Sequence, residues 1–119
     1  MDGKLFDSEL KVMEVLWREG EIPARRVAQV LTGELGWNVN TTYTIIKRCI
    51  NKGAILREDP GFLCRALVKK ETVQEAATNE LIDRVYDGCA DKLFAALLGR
   101  KKLTDEQIAH LRQIVGEWE

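Results

Sequence analysis

Trp37-Asn38-Val39-Asn40-Thr41-Thr42-Tyr43-Thr44-Ile45-Ile46-Lys47-Arg48-Cys49-Ile50-Asn51-Lys52-Gly53 is the stretch from which the rest of the chain can be read. Spaced at the 100° of an α-helix, Thr42, Ile45, Ile46, Cys49 and Ile50 fall on one side. Asn40, Thr41, Thr44, Lys47, Arg48 and Asn51 fall on the other, with Tyr43 at the boundary. Asn40 is a good N-cap and Gly53 a good stop, which predicts a helix over residues 41–52. Its apolar side is a core face. Its outward side holds hydroxyls, amides and cations and no carboxylate. That is the inventory a DNA major groove requires. Asn pairs with adenine edges, Arg or Lys with guanine, and Thr offers a hydroxyl to phosphate or a methyl to thymine.

Upstream, Asp7 or Ser8 can cap a first helix that runs to Glu19, with Leu10, Val12, Met13, Val15, Leu16 and Trp17 as its apolar stripe. Pro23 opens a second helix through Leu31, closing near Gly33–Gly36. Downstream, residues 54–59 and 62–68 are short apolar-rich runs around Pro60-Gly61, which predicts a β-hairpin. Three helices and a hairpin in this order are the winged helix-turn-helix plan. The hairpin tip, Glu58-Asp59-Pro60-Gly61, is acidic, so little is expected of the wing unless Arg57 and Arg65 compensate.

After Val68 the character changes. Residues 72–86 read as a helix, 91–98 as another after Gly88, and Arg100-Lys101-Lys102 as a basic loop. Thr104-Asp105-Glu106-Gln107 is a capping box that opens a last helix to Trp118. Fewer than about fifty residues of short helix cannot enclose Leu81, Val85, Leu93, Phe94, Leu97, Leu98, Ile108, Leu111, Val115 and Trp118 without a partner. A twofold dimer would cover them, and so, as the alternative, would folding of the arm back on the N-terminal domain. The expected fold is thus mainly α with a small β-hairpin wing. It comprises a winged-helix DNA-binding domain over residues 1–70 and a helical dimerisation arm over 71–119.

The charge distribution agrees with a polyanionic partner. Net charge over the 119 residues is only −1, but residues 1–70 carry 12 Lys+Arg against 9 Asp+Glu, and 71–119 carry 6 against 10. No acid occurs between Glu34 and Glu58, where Lys47, Arg48, Lys52 and Arg57 all fall. Asn40, Thr41 and Thr44 are expected nearest the base edges and the first phosphate. Lys47 and Arg48 reach either bases or backbone, and Tyr43 and Lys52 either touch phosphate or fill the helix-turn-helix angle.

Other functions find no support. The three cysteines are widely spaced, which reads as reduced cytoplasmic thiols. The only histidine, His110, has no second ligand at metal spacing, so neither a metal nor another cofactor is expected. There is no glycine-rich phosphate cradle and no nucleophile motif, which argues against an enzyme. The first residues lack the layout of a signal peptide, and no apolar run is long enough to span a membrane.

The stretch from Trp37 through Lys52-Gly53 resembles the recognition helix of the penicillinase-repressor family of BlaI/MecI/CopY-type regulators, W-x-x-x-T-x-x-T-x-x-x-R-L-x-x-K-G. Leu10-Lys11-Val12-Met13-Glu14-Val15-Leu16-Trp17 is similar to that family's first helix, and Leu103-Thr104-Asp105-Glu106-Gln107-Ile108 to the start of its last. The similarity covers nearly the whole chain. It implies a homodimeric repressor that binds inverted-repeat operators, often with TACA-like half-sites, of antibiotic-resistance or stress genes. In the BlaI/MecI branch a membrane-bound sensor protease system leads to cleavage in the arm. The resemblance aligns the cleaved Asn-Phe bond with Ala96–Leu97, a pair that departs from the motif. Cys49 replaces the usual Leu, Ala66 a Pro of the wing, and the C-x-C tail of the copper-sensing branch is missing. From the residues alone, a winged helix used only as a protein-interaction module stays open, as does, more distantly, repression gated by a small ligand.

Overall fold

A computed structural model describes residues 4–99 and 102–118. The Arg100-Lys101 part of the expected basic loop lies outside the described residues. The first helix, α1 (Asp7–Glu19), is capped by Phe6 rather than by Asp7 or Ser8. The reason is a carboxylate one turn in: Glu9 Oε1 accepts the Phe6 amide at 2.8 Å, satisfying an amide that the helix leaves unpaired. Val12, Met13, Val15 and Leu16 are buried, while Leu10 and Trp17 pack at the edge of the core. Trp17 Nε1 donates to the Val68 carbonyl at 2.9 Å, fastening the end of α1 to the segment after the hairpin.

A two-residue strand, β1 (Ile22–Pro23), precedes α2 (Ala24–Leu35). Pro23 is the N-cap of α2, and Gly36 ends the helix at φ +70°, the left-handed geometry that glycine adopts without cost. After Trp37 and Asn38, α3 (Val39–Asn51) begins. The hairpin is β2 (Ile55–Glu58) and β3 (Leu63–Ala66), antiparallel, with Arg57 opposite Cys64. β1 adds to the other side of β3, Ile22 opposite Cys64, giving the order β1-β3-β2. This third strand is absent from the sequence-based reading. The rest is the winged-helix plan.

Ala24, Val27, Val30 and Leu31 of α2, with Ile45, Ile46 and Cys49 of α3, close over α1, and Ala54, Ile55 and Cys64 complete the core. Each Val, Leu, Ile or Met buried this way contributes about 1.5–3 kcal/mol. α4 (Lys70–Val85), α5 (Ala90–Gly99) and α6 (Asp105–Trp118) follow. The expected capping box of α6 forms: Gln107 Oε1 accepts the Thr104 amide at 2.9 Å and Thr104 Oγ1 accepts the Gln107 amide at 3.1 Å. The chain divides into two compact units, Met1–Gln74 and Glu75–Glu119. No described residue of α4, α5 or α6 is fully buried.

All three thiols are free, with Cys49 and Cys64 buried and Cys89 half-buried. Burial pushes Cys49 up to about 12, helped by the nearby Glu9 charge, and Cys64 up to about 11. Iodoacetamide at pH 8 is therefore expected to modify Cys89 in the native protein and all three cysteines after denaturation. Mass spectrometry of the intact chain reads the difference.

Candidate nucleic-acid interface

The start of α3 is set by Asn38, not by Asn40. Asn38 Oδ1 accepts the Asn40 amide at 2.7 Å, and the Asn38 carbonyl accepts the Thr42 amide at 3.1 Å and its hydroxyl at 3.4 Å. Upstream, Thr32 Oγ1 donates to the Trp37 carbonyl at 2.8 Å, tying the turn to α2. The cap fixes where α3 starts, and its apolar spacing sets which side faces the core. Thr42, Ile45, Ile46 and Cys49 are buried and Ile50 is half-buried, while Asn40, Thr41, Thr44, Lys47, Arg48 and Asn51 are exposed. Thr44 Oγ1 donates to the Asn40 carbonyl at 3.0 Å, which leaves its oxygen free to accept.

Lys52 and Tyr43 turn towards the protein. The Lys52 ammonium meets Glu9 Oε1 and the Lys4 carbonyl, each at 2.6 Å, and lies 4.4 Å from the centre of the Phe6 ring. Glu9 is only 2% exposed. Burial alone would raise its pKa. The hydrogen bonds from Lys52 and the Phe6 amide, with the charges of Lys52 and Arg48, outweigh it and hold the carboxyl below its ordinary 4.5. The pair locks the end of α3 to the start of α1. Tyr43 is half-buried and meets the Phe62 ring edge to face, centroids 5.8 Å apart.

The wing is electrically quiet. Arg57 is bonded to Asp59 at 3.1 Å and stacked 3.7 Å over Phe62, and Arg65 stands 3.6 Å from Glu58. Lys70 pairs with Glu14 at 3.0 Å. Lys47 and Arg48, by contrast, have no carboxylate at ion-pair distance among the described residues. Sequence reasoning missed Arg25 and Gln29 of α2, which line an open groove of about 510 Å³ with Ala28, Thr32, Gly33, Val39 and Tyr43. Their position follows from how α2 packs on α3, which no local pattern encodes.

In the second unit Leu81, Val85, Phe94, Leu98, Val115 and Trp118 are exposed, Trp118 at 90%, while Leu93, Leu97, Ile108 and Leu111 are half-buried. Phe94, Leu98, Ile108, Leu111, Arg112, Val115 and Gly116 line an apolar groove of about 480 Å³ between α5 and α6. Exposed Ile114 adjoins it in sequence and was not among the expected residues. Ala96 and Leu97 are half-buried within α5, so the bond between them is helical. The described residues contain no cluster able to hold a metal ion and no helix long and apolar enough to cross a membrane.

The chain is 28% identical over 116 residues to the penicillinase repressor of Bacillus licheniformis, covering 96% of this chain and 91% of that protein. It is 25% identical over 122 residues to the methicillin resistance regulatory protein MecI of Staphylococcus aureus (strain N315), covering 98% and 99%. Among solved structures, the DNA binding domain of the repressor BlaI matches with a TM-score of 0.55 and 28% identity, over 59% of this chain and 88% of that one. The Bacillus licheniformis BlaI monomeric form in complex with the blaP half-operator matches with a TM-score of 0.51 and 27% identity, over 60% and 89%. The family model described as Penicillinase repressor matches residues 5–117, so the chain belongs to the penicillinase repressor family.

Proposed function

We propose that this protein is a DNA-binding transcriptional repressor that acts in the cytoplasm as a homodimer on inverted-repeat operators. The observation that carries the reading is the outward row of α3, where Asn40, Thr41, Thr44, Lys47 and Arg48 are exposed on a helix that contains no carboxylate. A relative bound to a half-operator supports it, as do relatives that repress penicillinase or regulate methicillin resistance. The regulated genes are accordingly of the antibiotic-resistance class, those for a β-lactamase or a penicillin-binding protein, or of a stress class. The apolar α5–α6 groove, with Leu81 and Val85 of α4 and Trp118 of α6 also exposed, supports pairing through the arm. Two copies of α3 would then face successive major grooves about 34 Å apart. Release of the operator by a membrane-bound sensor protease system, cutting in the arm at Ala96–Leu97, rests on the family resemblance. That bond must unwind from α5 to be cut.

The test is a titration of a palindromic duplex, selected by the protein from a random library, at about 50 and 200 mM salt. Neutralising about six to ten phosphates predicts a loss of affinity on the order of 10³- to 10⁵-fold across that range. Undetectable or salt-insensitive binding contradicts operator recognition and favours a protein-interaction module.

Pairing through the arm has its own consequence. Leu97→Asp or Leu111→Asp would bury an unpaired charge at a cost of several kcal/mol, raising the dimer dissociation constant by about 100-fold or more. Sedimentation velocity at micromolar concentration then shows monomer. A profile unchanged by both substitutions contradicts the arm as the interface.

A further inference from the structure

We propose that Arg25 of α2 binds a backbone phosphate of the operator, extending the DNA footprint from α3 across the α2–α3 groove. This inference rests on the DNA-binding reading above. It starts from the pairing of the arginines in the first unit. Arg18, Arg26, Arg57 and Arg65 each have a carboxylate partner, at 2.7, 3.1, 3.1 and 3.6 Å respectively. Among the described residues of that unit, Arg25 and Arg48 are the arginines with none at that distance. Arg25 is also exposed, so its guanidinium is hydrated and available.

Geometry then says where that charge is presented. Val39, Tyr43 and Lys47 lie four residues apart and form one row along α3, just as Arg25 and Gln29 do along α2. Arg25, Gln29, Val39 and Tyr43 line one groove that holds no carboxylate, and Lys47 continues the α3 row beyond it. A groove with an unpaired guanidinium at its rim and no acid in its wall attracts an anion. The planar fork of arginine matches two oxygens of a phosphate. The side chain next in sequence, Arg26, is held by Glu19 and provides an internal control.

The experiment compares the parent with Arg25→Ala and Arg26→Ala on the selected palindrome and on a duplex of unrelated sequence, from about 50 to 300 mM salt. The slope of log affinity against log salt is expected to become shallower by about 0.9 per bound chain for Arg25→Ala. At 0.1 M salt, affinity for both duplexes falls by about five- to tenfold per chain, with the preference between them unchanged. Arg26→Ala keeps the parent slope. A parent slope in Arg25→Ala, or an equal change in both variants, overturns the assignment while leaving operator binding intact. A parent with no salt-dependent binding overturns the reading beneath it as well.

Discussion

Replacing Lys47 and Arg48 together with alanine is expected to weaken binding to the selected palindrome by about 100-fold or more, with the fold and the dimer intact. Both side chains are exposed, and neither has a carboxylate at ion-pair distance among the described residues, so their removal breaks no such pair within the protein. A bidentate base contact is worth about 1–3 kcal/mol, and a lost phosphate contact weakens all sequences alike while lowering the salt slope by about one. The single variants therefore separate the two roles. The one that relaxes sequence preference reads a base, and the one that only flattens the slope holds the backbone. Anisotropy titrations measure affinity, and sedimentation and thermal melting check assembly and stability. Parent-like affinity in either single variant would place readout away from this face.

The second large effect concerns stability and its pH dependence. Lys52→Met is expected to destabilise the protein by about 3–5 kcal/mol, because Glu9 would be left buried without its cation. In the parent the folded pKa of Glu9 lies below its ordinary value. The pair's contribution is therefore present above about pH 4.5 and lost as pH falls through the folded pKa. In Lys52→Met the main lowering influence is gone and burial dominates, which raises the folded pKa above the unfolded one. The variant should then gain stability as pH falls from 7 towards 5, a range over which the parent's Glu9 contribution stays level. Urea melts of both proteins at pH 7 and pH 5 measure this. A parallel pH response in the two would mean that Glu9 is not held by Lys52.

What could be read in advance was whatever a local pattern encodes. The isoleucines of α3 recur at helical spacing, so its buried and exposed sides followed from periodicity, and the Thr104/Gln107 box marked the start of α6. The cap of α3 was misplaced by two residues because Asn38 and Asn40 are both good caps. The choice is made by the bonds that Thr42 and the Asn40 amide return to Asn38. Strand β1 escaped because Ile22-Pro23 has no period of its own and exists only through pairing with Leu63 and Cys64. Glu9 and Lys52 are 43 residues apart, and of the adjacent Arg25 and Arg26 only the second finds a carboxylate while only the first lines the groove. Such facts belong to tertiary packing. For the same reason the acidic wing tip looked merely unhelpful in sequence, whereas in the structure Asp59 and Glu58 occupy the two arginines beside them.

Amide chemical-shift mapping of the isotopically labelled protein, titrated with the selected palindrome, bears most directly on the claim that one acid-free helical side meets the DNA. The largest shifts should fall on residues 38–48, with Arg25 and Gln29 beside them, at one duplex per two chains. Shifts confined to the hairpin or the arm, or none along the outward row of α3, would contradict it.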